Sequence, residues 1–114
     1  MIDEKAEGYI EESIKREKNK AIANHGDFHS HHEAIAVLAE ETEEVVDCFK
    51  PFERTLNAEM PGLWDLIRAD NVDESTLDHI EQIRGRALEM AKECVQVCAM
   101  CDKWVKLIKK ENEA

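Results

Sequence analysis

From Thr76 to Lys110 an apolar or small side chain recurs every three or four residues, at Ile83, Ala87, Met90, Cys94, Val97, Cys101, Val105 and Ile108, and no proline interrupts the run. This spacing matches the turn of an α-helix and predicts one long helix with those residues on its core side. A helix of that length in a chain of 114 residues leaves room for little besides more helix. The sequence has two prolines and four glycines and no extended Val/Ile/Thr/Tyr alternation, so strands are not expected. The expected fold is all-α, a single domain over residues 1–114. Long helices in a small chain leave apolar faces over, which a second copy would cover.

Punctuation places the other helices. Tyr9, Ile10, Ile14 and Ile22 give Glu7–Ala23 a thin apolar side, and Gly26 ends it. Ser30 with Glu33 three residues on forms a capping-box pattern. It opens a second helix from His31 to Lys50, which Pro51 is expected to stop. Phe52 to Asp70, broken by Pro61-Gly62, reads as two short helices around Leu56 and around Leu63-Trp64-Leu66-Ile67. Asn71 to Glu74 reads as a turn, with Ser75 as N-cap of the long helix. Gly85 weakens that helix locally or admits a close neighbour. The polar tail from Lys109 is expected to fray.

Acidic residues outnumber basic ones 26 to 15, a net charge of −11, which argues against a nucleic-acid polymer as partner. Free nucleotides, whose phosphates are reached through a metal, remain compatible. No stretch approaches the roughly 20 apolar residues of a membrane span. Met1-Ile2-Asp3-Glu4-Lys5 has no apolar signal core, so a cytoplasmic location and reduced cysteines are expected.

Carboxylates intrude on the apolar side of the second helix. At 100° per residue, Ile35, Leu38, Val45, Phe49 and Phe52 mark its core direction. Val37, Glu41, Glu44 and Cys48 lie along one flank of that arc, Glu40 lies further out, and Glu43 points to solvent. Glu41 and Glu44 stack on consecutive turns, where like charges destabilise a bare helix. On the long helix, Glu89, Glu93, Gln96 and Met100 form a comparable flank. If the two helices pack antiparallel, the flanks meet and make a site of three or four carboxylates and one amide. Such a site needs a cation or shared protons, and a hard divalent metal is the simplest partner. The alternative is a pair of solvated charged faces, which an acidic chain produces easily.

Other chemistries fit less well. His25, His29, His31 and His32 crowd one loop, and Cys94, Cys98 and Cys101 line one helix. Paired C-x-x-C knuckles for zinc are absent, and no histidine is tied by sequence context to a particular thiol. No glycine-rich phosphate loop, nucleophile elbow or dinucleotide fingerprint occurs.

The segments Ala34–Asp47 and Ala87–Lys103 resemble the MazG-like, all-α nucleoside triphosphate pyrophosphohydrolases. That family carries E-E-x-x-E on one helix and E-x-x-D on the next. The first motif stands as Glu40-Glu41-Thr42-Glu43-Glu44. The second is matched by Glu93-Cys94-Val95-Gln96, with Gln96 where the family has Asp. The register Glu89-Met90-Ala91-Lys92 would put a lysine there. His31-His32-Glu33-Ala34 and the stretch Cys94–Met100 also look like small MazG-like proteins of bacteriophage genomes.

The resemblance implies a helical bundle completed by oligomerisation, as homodimer or homotetramer. It implies Mg²⁺, or Mn²⁺ in its place, held by Glu41, Glu44 and Glu93 with Gln96 assisting. Glu40 would orient or deprotonate the attacking water. The substrate would be a nucleoside triphosphate, cleaved to monophosphate and pyrophosphate. Phe28, Trp64 and Trp104 are candidates for an aromatic wall against the base. Arg86, Lys92 and Lys103 are candidates for phosphate contacts, with surface charge the simpler reading of each. Gln96 for Asp removes one negative charge, so a member that binds nucleotides without hydrolysing them quickly is the alternative.

Overall fold

Three helices make up the computed structural model, which describes residues 1–113: α1 (Glu4–His25), α2 (His31–Arg68) and α3 (Glu74–Glu113). The fold is all-α, and no strand occurs among the described residues. Asp3 caps α1 by accepting the Ala6 N–H at 2.8 Å. Gly26, at φ 77°, closes it with its N–H on the Ile22 carbonyl. Ser30 caps α2 as expected, its hydroxyl accepting the Glu33 N–H at 3.1 Å, but Glu33 accepts from the His29 N–H rather than completing the reciprocal bond to Ser30.

Three boundaries differ from the sequence reading. α2 does not stop at Pro51 but runs through Pro51 and Pro61 to Arg68 as one helix, not a helix followed by two short ones. Each proline lacks the N–H that would bond the carbonyl four residues back. Those carbonyls belong to Asp47 and Asn57, exposed residues where water can take the missing bond. The N-cap of α3 is Asp73, not Ser75. The Asp73 carboxylate accepts from the Ser75 N–H at 2.9 Å, and the Asp73 N–H donates to the Thr76 hydroxyl at 3.1 Å. The Ser75 hydroxyl also donates to this carboxylate, at 2.6 Å, and does most to hold the Asp73 carboxyl below its ordinary value. α3 also continues to Glu113, past the point where fraying was expected.

The chain forms two compact units. The first joins Met1–Glu44 to the chain from Glu93 onward. In it α1 and α3 run parallel, with Glu17 beside Gln96 and Asp27 beside Lys106, while α2 runs antiparallel to α3, with His31 beside Trp104 and Glu111. Its core is Ile14, Phe28, Ala34, Ala99 and Met100, flanked by Ala21, Val37, Leu38, Val95, Trp104 and Leu107. The second unit, Val45–Lys92, is an antiparallel hairpin in which His79 bonds Glu59. Asp70, at φ 52°, turns the corner: its N–H and that of Asn71 return to the carbonyls of Ile67 and Leu66.

The helical wheel placed the core of α3 one face too far round in the first unit, and that of α2 holds at Leu38 but not at Ile35. On α3 of the first unit the inward positions are Val95, Ala99, Met100, Lys103 and Leu107, whereas Cys94, Cys101, Val105 and Ile108 are exposed. On α2, Ala34, Val37 and Leu38 pack inward while Ile35 is 52% exposed. The acidic flanks are therefore partly buried, at Glu41 and Glu93, while Glu44 stays exposed and much of the apolar arcs faces out. Three helices have too few neighbours to cover arcs this wide. Gly85 admits no close neighbour either, since nothing lies within 4 Å of where its Cβ would be.

Candidate functional site

Glu41 and Glu44 from α2 and Glu93 from α3 converge in the first unit. Each offers one carboxylate oxygen, and the three oxygens lie within 4.8 Å of one another. The antiparallel pairing of the helices produces this, because the register that sets His31 beside Trp104 brings the next turns of α2 down to Glu93. Glu41 is half-buried, and its Oε2 is fully buried with no hydrogen-bond partner.

The electrostatics follow from that crowding. Burial, then the charge and close approach of Glu44, then the charges of Glu93 and Glu40, push the Glu41 carboxyl above its ordinary value. Burial and the neighbouring Glu44 likewise push Glu93 up. The donor set fits a hard divalent cation: oxygen ligands only, three negative charges, and an orphaned buried lone pair that a cation would satisfy. Soft metals that favour thiolate have no role in this set.

Beside the carboxylates lies a cavity of about 500 Å³. Glu41, Gln96 and Glu17 line it together with Phe28, Val37 and Met100, and Lys20, Asn24, His25, His29, Glu33 and Lys103 complete the wall. This volume is in the range that small-molecule ligands occupy.

Of the residues singled out in the sequence, Glu41, Glu44 and Glu93 come together. Glu40 is exposed and stands outside the trio. Gln96 lines the cavity, but its Nε2–H donates to Glu17 Oε2 at 2.9 Å, so the amide is tied to α1. Phe28 is buried against the cavity, whereas Trp104 spends its indole N–H on His31 and Trp64 belongs to the second unit, 55% exposed. Arg86 pairs with Glu89 at 3.6 Å. Lys103 is not the surface charge expected of it but is buried, 5% exposed, with Nζ 4.2 Å from the centre of the Phe28 ring. Burial raises the Cys98 thiol, with Cys101 and Asp102 adding to the effect, which disfavours the reactive thiolate.

Glu17 was not foreseen. Its signal lay in the spacing, because Ile14, Glu17 and Ala21 fall on one stripe of α1, an acid set between two inward residues.

No known protein family, no curated protein and no solved structure matches the chain. The site therefore speaks through its own geometry. No helix among the described residues is long and apolar enough to cross a membrane.

Proposed function

We propose that the protein is a Mg²⁺-dependent, MazG-like nucleoside triphosphate pyrophosphohydrolase. The observation that carries this reading is the convergence of Glu41, Glu44 and Glu93, from two antiparallel helices, at the edge of a cavity large enough for a nucleoside. Glu41, Glu44 and Glu93 would hold the divalent ion, Mg²⁺ or Mn²⁺. An ion held there would supply the positive charge that neutralises the phosphates and the charge developing as the phosphoanhydride breaks. Glu40, exposed beside the cluster, takes the proton of the attacking water. Water oxygen bonds to the α-phosphorus, the α–β bridge breaks, and pyrophosphate leaves. The apolar wall of Phe28, Val37 and Met100 receives the base.

One observation favours a second reading, a nucleotide-binding relative with little turnover. Gln96 replaces a charged ligand of the family pattern, and its amide is already engaged by Glu17. Three carboxylates then hold the metal where four are expected.

The working unit is a homodimer or homotetramer. Ile35, Val105 and Ile108 in the first unit and Val46, Phe49, Trp64, Ile67 and Ile80 in the second stay exposed in the single chain. A second copy would bury such apolar area at about 25 cal/mol per Å². Analytical ultracentrifugation tests this, and a monomer at micromolar concentration excludes it.

Incubation with a panel of nucleoside triphosphates and Mg²⁺, read as released pyrophosphate, tests the activity. Turnover that Glu44→Ala abolishes supports the hydrolase. Tight binding without turnover selects the second reading. Turnover that is equal in Glu44→Ala and parent would remove the carboxylate cluster from the mechanism.

A further inference from the structure

Lys103 is the buried lysine of the first unit's cavity, and among the described residues no protein oxygen accepts a hydrogen bond from it. Its side chain is more than nine-tenths buried and lines the same cavity as Glu41 and Gln96. An ammonium carries three N–H donors. Among the described residues no carboxylate stands within ion-pair distance of it and no oxygen accepts a hydrogen bond from it. The nearby acid, Asp27, accepts instead from Lys106 at 2.8 Å. The Phe28 ring, 4.2 Å from Nζ, offers its π face to the charge but no lone pair. The residue as a whole is buried, but its ammonium opens onto the cavity, where water accepts its hydrogen bonds until a ligand oxygen takes that place.

The position of Lys103 says which part of a ligand would bring it. Gln96 and Lys103 both line the cavity and stand seven residues apart on α3, about 10 Å along the helix axis. Glu93, one turn before Gln96, belongs to the carboxylate cluster. A nucleotide whose phosphates lie at the carboxylates therefore reaches Lys103 with the edge of its base, after passing Phe28 and Met100.

We infer that Lys103 selects the nucleobase and that the site prefers bases presenting an oxo group over those presenting an amino group at the same position. This rests on the nucleotide reading of the cavity. The chemistry is one-sided, because a lysine ammonium donates and cannot accept. The 6-oxo group of hypoxanthine or the 4-oxo group of uracil accepts its hydrogen bond. The 6-amino group of adenine or the 4-amino group of cytosine turns further N–H donors toward the ammonium and displaces its accepting water without replacing the hydrogen bond. Sites built to hydrogen-bond a ligand group discriminate strongly against analogues that cannot make the bond.

Titration calorimetry of the full chain in Mg²⁺ with IMP against AMP, and with UMP against CMP, tests the inference. The expected result is tighter binding of IMP and of UMP by about tenfold or more. Lys103→Met keeps the apolar stem and removes the charge, and it brings each pair to within about threefold. Mn²⁺ binding followed by electron paramagnetic resonance is the same in variant and parent. Equal binding within both pairs by the native protein overturns the inference, and this comparison needs no variant to fold. So does an oxo preference that survives in a folded Lys103→Met. Binding of all four nucleotides without preference leaves the nucleotide reading standing and removes only the role of Lys103. Failure of all four to bind removes both.

Discussion

Gln96 on α3 donates its amide N–H to the Glu17 carboxylate on α1 at 2.9 Å, closing the side of the cavity next to the acidic cluster. The bond reaches a charged acceptor and is partly shielded from water, so it contributes about 2 kcal/mol. Gln96→Asp shortens the side chain, loses this bond and adds a carboxylate beside Glu17. The metal-free variant melts below the parent, by about the same 2 kcal/mol in thermal or urea unfolding. Mn²⁺ binds Gln96→Asp more tightly than the parent, by about tenfold, because another charged ligand strengthens a divalent site. Weaker Mn²⁺ binding in Gln96→Asp would show that position 96 does not face the ion.

The carboxylate cluster makes stability depend on pH in an unusual direction. Glu41 and Glu93 are held above the ordinary carboxyl value of 4.5, chiefly by burial. The folded form thus binds their protons more tightly than the unfolded form does. Their contribution is fully present below the ordinary value and is lost as pH rises through the raised one. Asp27 and Asp73 are shifted downward, and their contribution is lost only as pH falls below their ordinary 3.8. Metal-free protein therefore loses melting temperature as pH climbs from about 4.5 toward neutrality. Glu41→Gln flattens that decline, and saturating Mg²⁺ reverses it in the parent but not in the variant. Calorimetric melts across this range with and without metal measure all three. A parent curve that rises with pH without metal contradicts the crowded cluster.

Trp104 donates its indole N–H to His31 Nδ1 at 2.9 Å, and His31 Nε2 meets Glu111 Oε2 at 2.7 Å. Indole only donates, so Nδ1 must be the bare nitrogen and the neutral ring carries its hydrogen on Nε2. Nitrogen-15 chemical shifts of the neutral imidazole are expected to report the Nε2–H tautomer. Trp104→Phe removes the donor, frees the tautomer and costs about 1 kcal/mol. An Nδ1–H tautomer in the parent would mean that the start of α2 is not fastened to the end of α3 in this way.

Two helix-interior glycines should respond oppositely to the same change. A Cβ on Gly62 would stand 2.8 Å from His79 Cε1 and 2.9 Å from Nε2, a ring fixed by its bond to Glu59. Gly62→Ala forces that ring aside and destabilises by about 1–3 kcal/mol, against the usual helix gain. Gly85→Ala meets nothing within 4 Å and stabilises by about 1 kcal/mol. Urea midpoints of the two variants provide the check, and a gain at Gly62 equal to that at Gly85 would deny the His79 contact.

Periodicity was enough for the fold class and for placing Glu41 with Glu44 on one side of α2, because side chains three residues apart on a helix share a side whatever the helix packs against. The antiparallel pairing that brings Glu93 to them was a condition that only the folded chain supplied. Punctuation was less dependable. Ser30 and Gly26 did what their chemistry favours, whereas Pro51 and Pro61 were absorbed into α2. A helix survives proline where the orphaned carbonyl meets water, and exposure is a property of the folded chain.

The sequence by itself determined that the chain is helical and that acids on two helices can be neighbours, since both follow from local geometry. Only the tertiary structure decided which face turned inward. The interior of the first unit formed around Ala34, Ala99 and Met100 beside the carboxylate flanks, which are partly buried at Glu41 and Glu93 and exposed at Glu44, and not at the middle of the apolar arc of α3. That choice buried Lys103 against Phe28 and tied Gln96 to Glu17. A helical wheel ranks faces by hydropathy alone. In a chain with three helices, the face that is buried is the one the neighbouring helices can reach.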